Sequence, residues 1–142
     1  MPRILKEEIQ KSFSNLLNRE GFKETNYDYD AEAFGNETVV LQSKTHMLRF
    51  ATDRGDVYID IGVVSRKTDW ILLDSVLEFL GNPTIKPGPN DLSRRLKELA
   101  DKLDAHLDEV KRALCADNIK ETKKGIEAIG RGKAVAAGLV TA

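Results

Sequence analysis

The apolar positions of "RILKEEIQKSFSNLLNREGF", residues 3–22, recur at helical spacing, with Leu5, Ile9, Phe13, Leu16 and Leu17 on one face. Gly21 suits the left-handed position just past a helix end, and Phe22 is placed to fold back on the last turn. Between residues 37 and 63 the period changes to two. "ETVVLQS", "HMLRFAT" and "DVYIDIGV" are short runs rich in β-branched and aromatic residues. In the last run Val57, Ile59, Ile61 and Val63 alternate with Tyr58, Asp60 and Gly62, which predicts one buried face and one wet face. The connectors "SKT" and "DRGD" are short enough for hairpins, so an antiparallel meander of three or four strands is expected. A weaker strand is expected around Phe22 to Tyr29.

Helical spacing returns in "TDWILLDSVLEFLGNP", residues 68–83. Thr68 or Asp69 is expected to cap this helix, and Gly81 with Pro83 to end it. Trp70, Leu73, Leu77 and Leu80 form its expected inner stripe. "GNPTIKPGPN" reads as a loop. From Asn90 one long amphipathic helix is expected, with a stripe of Leu92, Leu96, Leu99, Leu103, Leu107, Val110 and Leu114. Leu92, Leu103 and Leu114 are each 11 apart, so the stripe runs nearly straight along the helix. It would seal the core or pair with a second copy as a homodimer, and core packing is the leading expectation. Beyond Asn118 the pattern weakens, because Gly125, Gly130, Gly132 and Gly138 are poor helix residues. The fold class expected is therefore α+β: an N-terminal helix, the meander, then two or more helices. Residues 1–118 form a single domain in this reading, and residues 119–142 a weakly structured extension.

Composition adds bounds. A chain of 142 residues, 41% apolar and 32% charged with a mean hydropathy of −0.38, has the profile of a globular protein. At this size a domain buries roughly 70% of its unfolded surface, enough for a core without disulfides or metal. The net charge of −1 offers no global field to recruit nucleic acid or an anionic membrane, and neither is expected as a partner. No apolar run approaches the ~18 residues that would span a membrane. The single Cys115 and the acids of the N-terminal "MPRILKEEIQ" favour a reducing, cytoplasmic setting.

Charge is uneven locally. "NYDYDAEAFGNE", residues 26–37, carries Tyr27, Asp28, Tyr29, Asp30, Glu32 and Glu37 without one basic residue. As a calcium loop it fails, because the sixth and twelfth positions hold Ala33 and Val39 where glycine and glutamate are needed. His46, His106 and Cys115 lack the paired spacings of a zinc site, and no cofactor is expected. Both histidines read as surface or boundary residues, and Cys115 as a small, partly buried filler. "GIEAIGRGKA" is a near miss for a phosphate loop, with Arg131 or Ala134 standing at decisive positions. "RGD" at Arg54–Asp56 reads as ordinary hairpin residues. No nucleophile with a placed base is recognisable. What remains is recognition: tyrosine gives contact area with few rotors to freeze, and carboxylates steer a basic partner. Tyr27, Asp28, Tyr29, Asp30 and Glu32 are the candidate partner-binding residues, with Tyr58 and Asp60 as neighbours on the wet face of the sheet.

The order "EGF", "DAEAFGNETVVLQS", "LRFATDRGDVYIDIG" and "WILLDSVLEFLG" resembles small bacterial α+β immunity proteins of polymorphic or contact-dependent toxin systems. The resemblance covers about residues 14–81 and rests on structural motifs. It implies a non-enzymatic protein that neutralises a toxin by binding it, the partner being a basic toxin domain. It supplies no catalytic residues. The alternatives are a small enzyme using carboxylates from the 28–60 region, or a structural adaptor oligomerising through Leu92–Leu114.

Overall fold

The computed structural model describes residues 4–32, 35–53, 56–66, 69–84 and 91–136. Helix α1, Ile4–Glu20, buries Leu5, Ile9, Phe13, Leu16 and Leu17, the face that its spacing predicts. It stops where expected. Gly21 adopts φ 74°, and the Phe22 N–H returns to the Leu17 carbonyl at 2.9 Å, satisfying a carbonyl that the helix leaves open.

Four strands follow: β1 (Lys23–Asp30), β2 (Asn36–Gln42), β3 (His46–Asp53) and β4 (Asp56–Val63). A 3-10 turn, Val64–Arg66, leads to the two-residue strand β5, Ile71–Leu72. The sheet order is β1-β2-β3-β4-β5 with every pair antiparallel, a meander with one short strand more than expected. The pleat of each strand turns Val39, Leu41, Leu48, Phe50, Val57, Ile59 and Ile61 to one buried face. The Phe13 ring meets the Phe50 ring edge to face at 5.0 Å, joining α1 to the sheet.

The helix expected from Thr68 or Asp69 starts later. Helix α2 spans Leu73–Phe79, with Leu72 in extended conformation at its cap. Thr68 lies outside the described residues. Trp70 is therefore not on a helical inner stripe. It is carried onto the other face of the sheet, where the Arg49 guanidinium sits 4.5 Å above its ring. Pairing of Ile71 with Ile61 and of Leu72 with Asp60 outweighs helical continuation there. The helix end is as expected: Gly81 has φ 84°, and the Asn82 and Gly81 N–H groups reach Leu77 and Glu78 carbonyls at 2.8 and 3.0 Å.

The long helix is two helices. Helix α3 spans Leu92–Ala105 and α4 spans Leu107–Leu114, with His106 between them at φ −120° and ψ 21°. The break redirects the stripe without exposing it, because both helices meet α2 but α3 packs chiefly on α1 and β4 whereas α4 packs on α5. Leu96, Leu99, Leu103, Val110 and Leu114 are all buried in the chain's own core. Of the segment 119–142 expected to be weakly structured, Ile119–Ala136 is helix α5, on α2 and α4, and residues 137–142 lie outside the described residues. Buried Thr122 anchors it by donating its hydroxyl to the Ala113 carbonyl at 2.8 Å. "GIEAIGRGKA" lies inside this helix, so it forms no loop. No helix among the described residues is long and apolar enough to cross a membrane.

Candidate functional site

The tyrosine-and-acid stretch forms strand β1 at one edge of the sheet, and its pleat divides the candidate residues between two faces. Tyr27 pairs with Val39 and Tyr29 with Glu37, so both tyrosines lie on the side of the helices. The Tyr27 ring packs on the core beneath the Lys6 ammonium, 4.8 Å from its centroid. Its hydroxyl donates to Glu37 Oε2 at 2.9 Å. Buried Glu37 also accepts the Leu5 N–H at 3.2 Å, so this carboxylate satisfies an open donor in the first turn of α1. Tyr27 is thus part of the joint between α1 and the sheet. Tyr29, 37% exposed, leans on Gly35, where an added Cβ would stand 3.4 Å from its hydroxyl oxygen.

Asp28 and Asp30 take the opposite, outer face. Asp28 pairs with Thr38, Thr38 with Ala51, and Ala51 with Tyr58, one continuous row across four strands. Strand spacing puts Asp28 and Tyr58 about 14 Å apart along that row. Two residues further in the same direction, Asp30 pairs with Asn36 and Asp53 with Asp56. One end of the outer face therefore carries Asp28 and Asp30 on β1 and, about 14 Å across the sheet on β3 and β4, Asp53, Asp56 and Tyr58. Asp53 and Asp56 oppose each other directly, and Asp56 Oδ2 accepts from the Tyr58 hydroxyl at 3.5 Å. Arg54 and Gly55, of the same tripeptide as Asp56, lie outside the described residues. Glu32 sits in the turn after β1, its N–H held by Asp30 Oδ1 at 3.1 Å.

Asp60 does not belong to this group. It lies in the next row, Asn26–Val40–Arg49–Asp60–Leu72, and its Oδ2 accepts from Arg49 Nη2 at 2.7 Å and Nε at 3.0 Å. Arg49 is in turn stacked on Trp70. Gly62 lets this cover approach, since a Cβ there would stand 3.2 Å from the Asp69 carbonyl oxygen and 3.6 Å from the Trp70 ring. Asp60 is consumed by this closure.

Of the seven candidates, the structure brings together Asp28, Asp30 and Tyr58, with Glu32 at the margin. Tyr27 and Tyr29 are turned to the helix side, and Asp60 is paired. Sequence reasoning missed Asp53 and Asp56. Asp56 has the same parity as Tyr58 and Asp60, so alternation alone would have placed it on the wet face. Asp53 needed the β3–β4 register, which sequence spacing does not supply. Among the described residues no group of three or more histidine, cysteine, aspartate or glutamate side chains is arranged to hold a metal ion.

No family model matches the chain, and neither the curated proteins nor the solved structures contain a match.

Proposed function

We propose that this chain is a protein-binding protein that docks a basic surface on the acidic end of its sheet, and that it acts as an immunity protein neutralising a bacterial toxin by direct binding. The observation carrying the reading is the register that sets Asp28, Asp30, Asp53, Asp56 and Tyr58 at one end of the face away from the helices. Such a cluster concentrates negative potential where a rigid sheet holds it still, and it steers a basic partner into one orientation. Tyr58 adds a large, half-buried ring with few rotors to freeze. The resemblance of residues 14–81 supports the finer identity of the partner as a basic toxin domain.

The test is binding kinetics against a basic protein that co-purifies with the chain, at two salt concentrations. Reversing Asp28 and Asp53 together to lysine is expected to slow association about tenfold at low salt, with the difference shrinking as salt rises. Melting should stay near that of the parent, because both side chains are exposed. Tyr58→Ala should speed dissociation instead. Asp53 is the sharper probe, since it joins Asp28 only through the fold. Unchanged association in the double reversal would reduce the acidic end to solvated surface.

A further inference from the structure

A second feature lies at the other end of the strands, about 25 Å away for strands of this length. There the β2–β3 turn, the 3-10 turn after β4 and the end of α4 enclose a cleft of about 450 Å³. Its charged lining among the described residues is Lys44, Arg66 and Lys111, with no acid. Val63, Val64, Leu114 and Ala116 supply apolar wall, and His46 and Cys115 complete it. We propose that this cleft binds a small organic oxyanion, a carboxylate or phosphate monoester carried on an apolar body. This inference is independent of the partner reading above.

The cations differ in how committed they are. Lys111 is tied to Glu20 Oε1 at 2.6 Å. Arg66 has only a distant partner, Asp69 at 4.0 Å, and Asp69 is itself held by Lys123 at 2.5 Å. Lys44 is exposed and makes no ion pair or hydrogen bond among the described residues. A guanidinium and an ammonium without close partners, facing one concavity, are what an oxyanion head requires. Two of the carbonyls at the end of α4, whose dipole would oppose an anion, are already bonded. Arg112 O accepts from Cys115 N and Asn118 Nδ2, and Ala113 O accepts from Thr122 Oγ1.

The rest of the wall selects for an apolar body. Half-buried His46 is pushed below its ordinary value by burial and then by the charge of Lys111, which favours the neutral ring. Its Nδ1 is engaged with Thr45 Oγ1 at 2.7 Å. The ring thus offers a flat wall beside the valines, with its outer nitrogen still able to bond a ligand. The volume falls in the ordinary range for small-molecule clefts.

Cys115, the one cysteine in the chain, lines the cleft and reports its occupancy. The experiment follows alkylation of Cys115 by an uncharged reagent in the presence of phenyl phosphate, benzoate, inorganic phosphate or sodium chloride at matched ionic strength. Either aromatic probe is expected to slow alkylation saturably, and which one does so tells the two head groups apart. Inorganic phosphate should protect at about tenfold higher concentration, for want of the apolar contact. Lys44→Ala with Arg66→Ala should weaken protection about tenfold or more, while Lys23→Ala, outside the cleft, should not. Shifts of the His46 ring resonances in the same titrations give a readout that does not depend on thiol reactivity. The proposal is overturned if neither aromatic probe exceeds the chloride control by either readout, or if the double variant binds as well as the parent. Equal binding of inorganic phosphate would overturn the apolar half of it.

Discussion

Glu37 shows how a single position redirects the meaning of its neighbours. In sequence it closes an acidic dozen; in the fold it is 4% exposed, bonded by the Leu5 N–H and the Tyr27 hydroxyl. Titration at the single-residue level yields a second expectation, from His46 and Glu20. Burial first, and Lys111 second, hold His46 below its ordinary 6.5. The unfolded chain therefore binds the proton at a higher pH than the folded chain does. Stability from this source is complete above 6.5 and falls with pH until the folded ring protonates. Glu20 is held below its ordinary 4.5 by the hydrogen bond from Lys111, with that from Arg19 adding to it. Its contribution has the same sign and is lost lower, as pH falls from 4.5 through its depressed value. Urea unfolding as a function of pH should thus show two separate losses. His46→Gln should remove the upper one and keep the lower; an upper loss that survives this change belongs to another group.

At the level of elements, the outcome depends on what each apolar face meets. The stripe from Leu92 to Leu114 has one helical period, yet it is split at His106 because its two halves have different neighbours. Leu103, 1% exposed, closes the last full turn before the break. Leu103→Ala is expected to cost about 2–5 kcal/mol by leaving a cavity that the surrounding helices only partly fill. Calorimetry or denaturant titration measures it, and a melting point within a degree or two of the parent would mean that the stripe does not face the core. The two glycine stops, by contrast, depend on contacts within a few residues. Those are the boundaries that spacing located correctly.

Across the whole molecule, α5 is the element that the polar, glycine-bearing pattern hides. Gly125 allows it to lie against Phe79 of α2, where an added Cβ would stand 2.1 Å from the ring. Gly130, on the same helix, has open space around it. The two glycines therefore separate docking from helix propensity. Gly130→Ala should stabilise the chain by up to about 1 kcal/mol. Gly125→Ala should destabilise it by about 1–3 kcal/mol, because overpacking exceeds that gain. Denaturant melts of the two variants test this together, and equal stabilisation by both would show that α5 does not rest on α2. The charge of the molecule has a similar hidden order. A net charge of −1 conceals acids grouped at the β3–β4 end of the sheet and cations grouped around the β2–β3 end.

From sequence alone came everything whose cause is local. The face of α1, the period-two runs of β2 to β4, the glycine-ended helices and the α+β class all follow from spacing and backbone preference over a few residues. Tertiary structure decided the rest, because the competing energies come from residues far away in the chain. Trp70 to Leu72 join the sheet because Arg49, Gly62 and Ile61 offer a better surface than a further helical turn. Residues 119–136 become helical because α2 and α4 bury one side of them. The acidic stretch divides by the pleat, which sends Tyr27 inward and aligns Asp28 with Tyr58, at the end of the sheet that also carries Asp53 and Asp56, through pairings that only the register specifies. Spacing can assign a residue to a face of its own strand or helix, but which distant side chains share that face is set by how the elements are packed together.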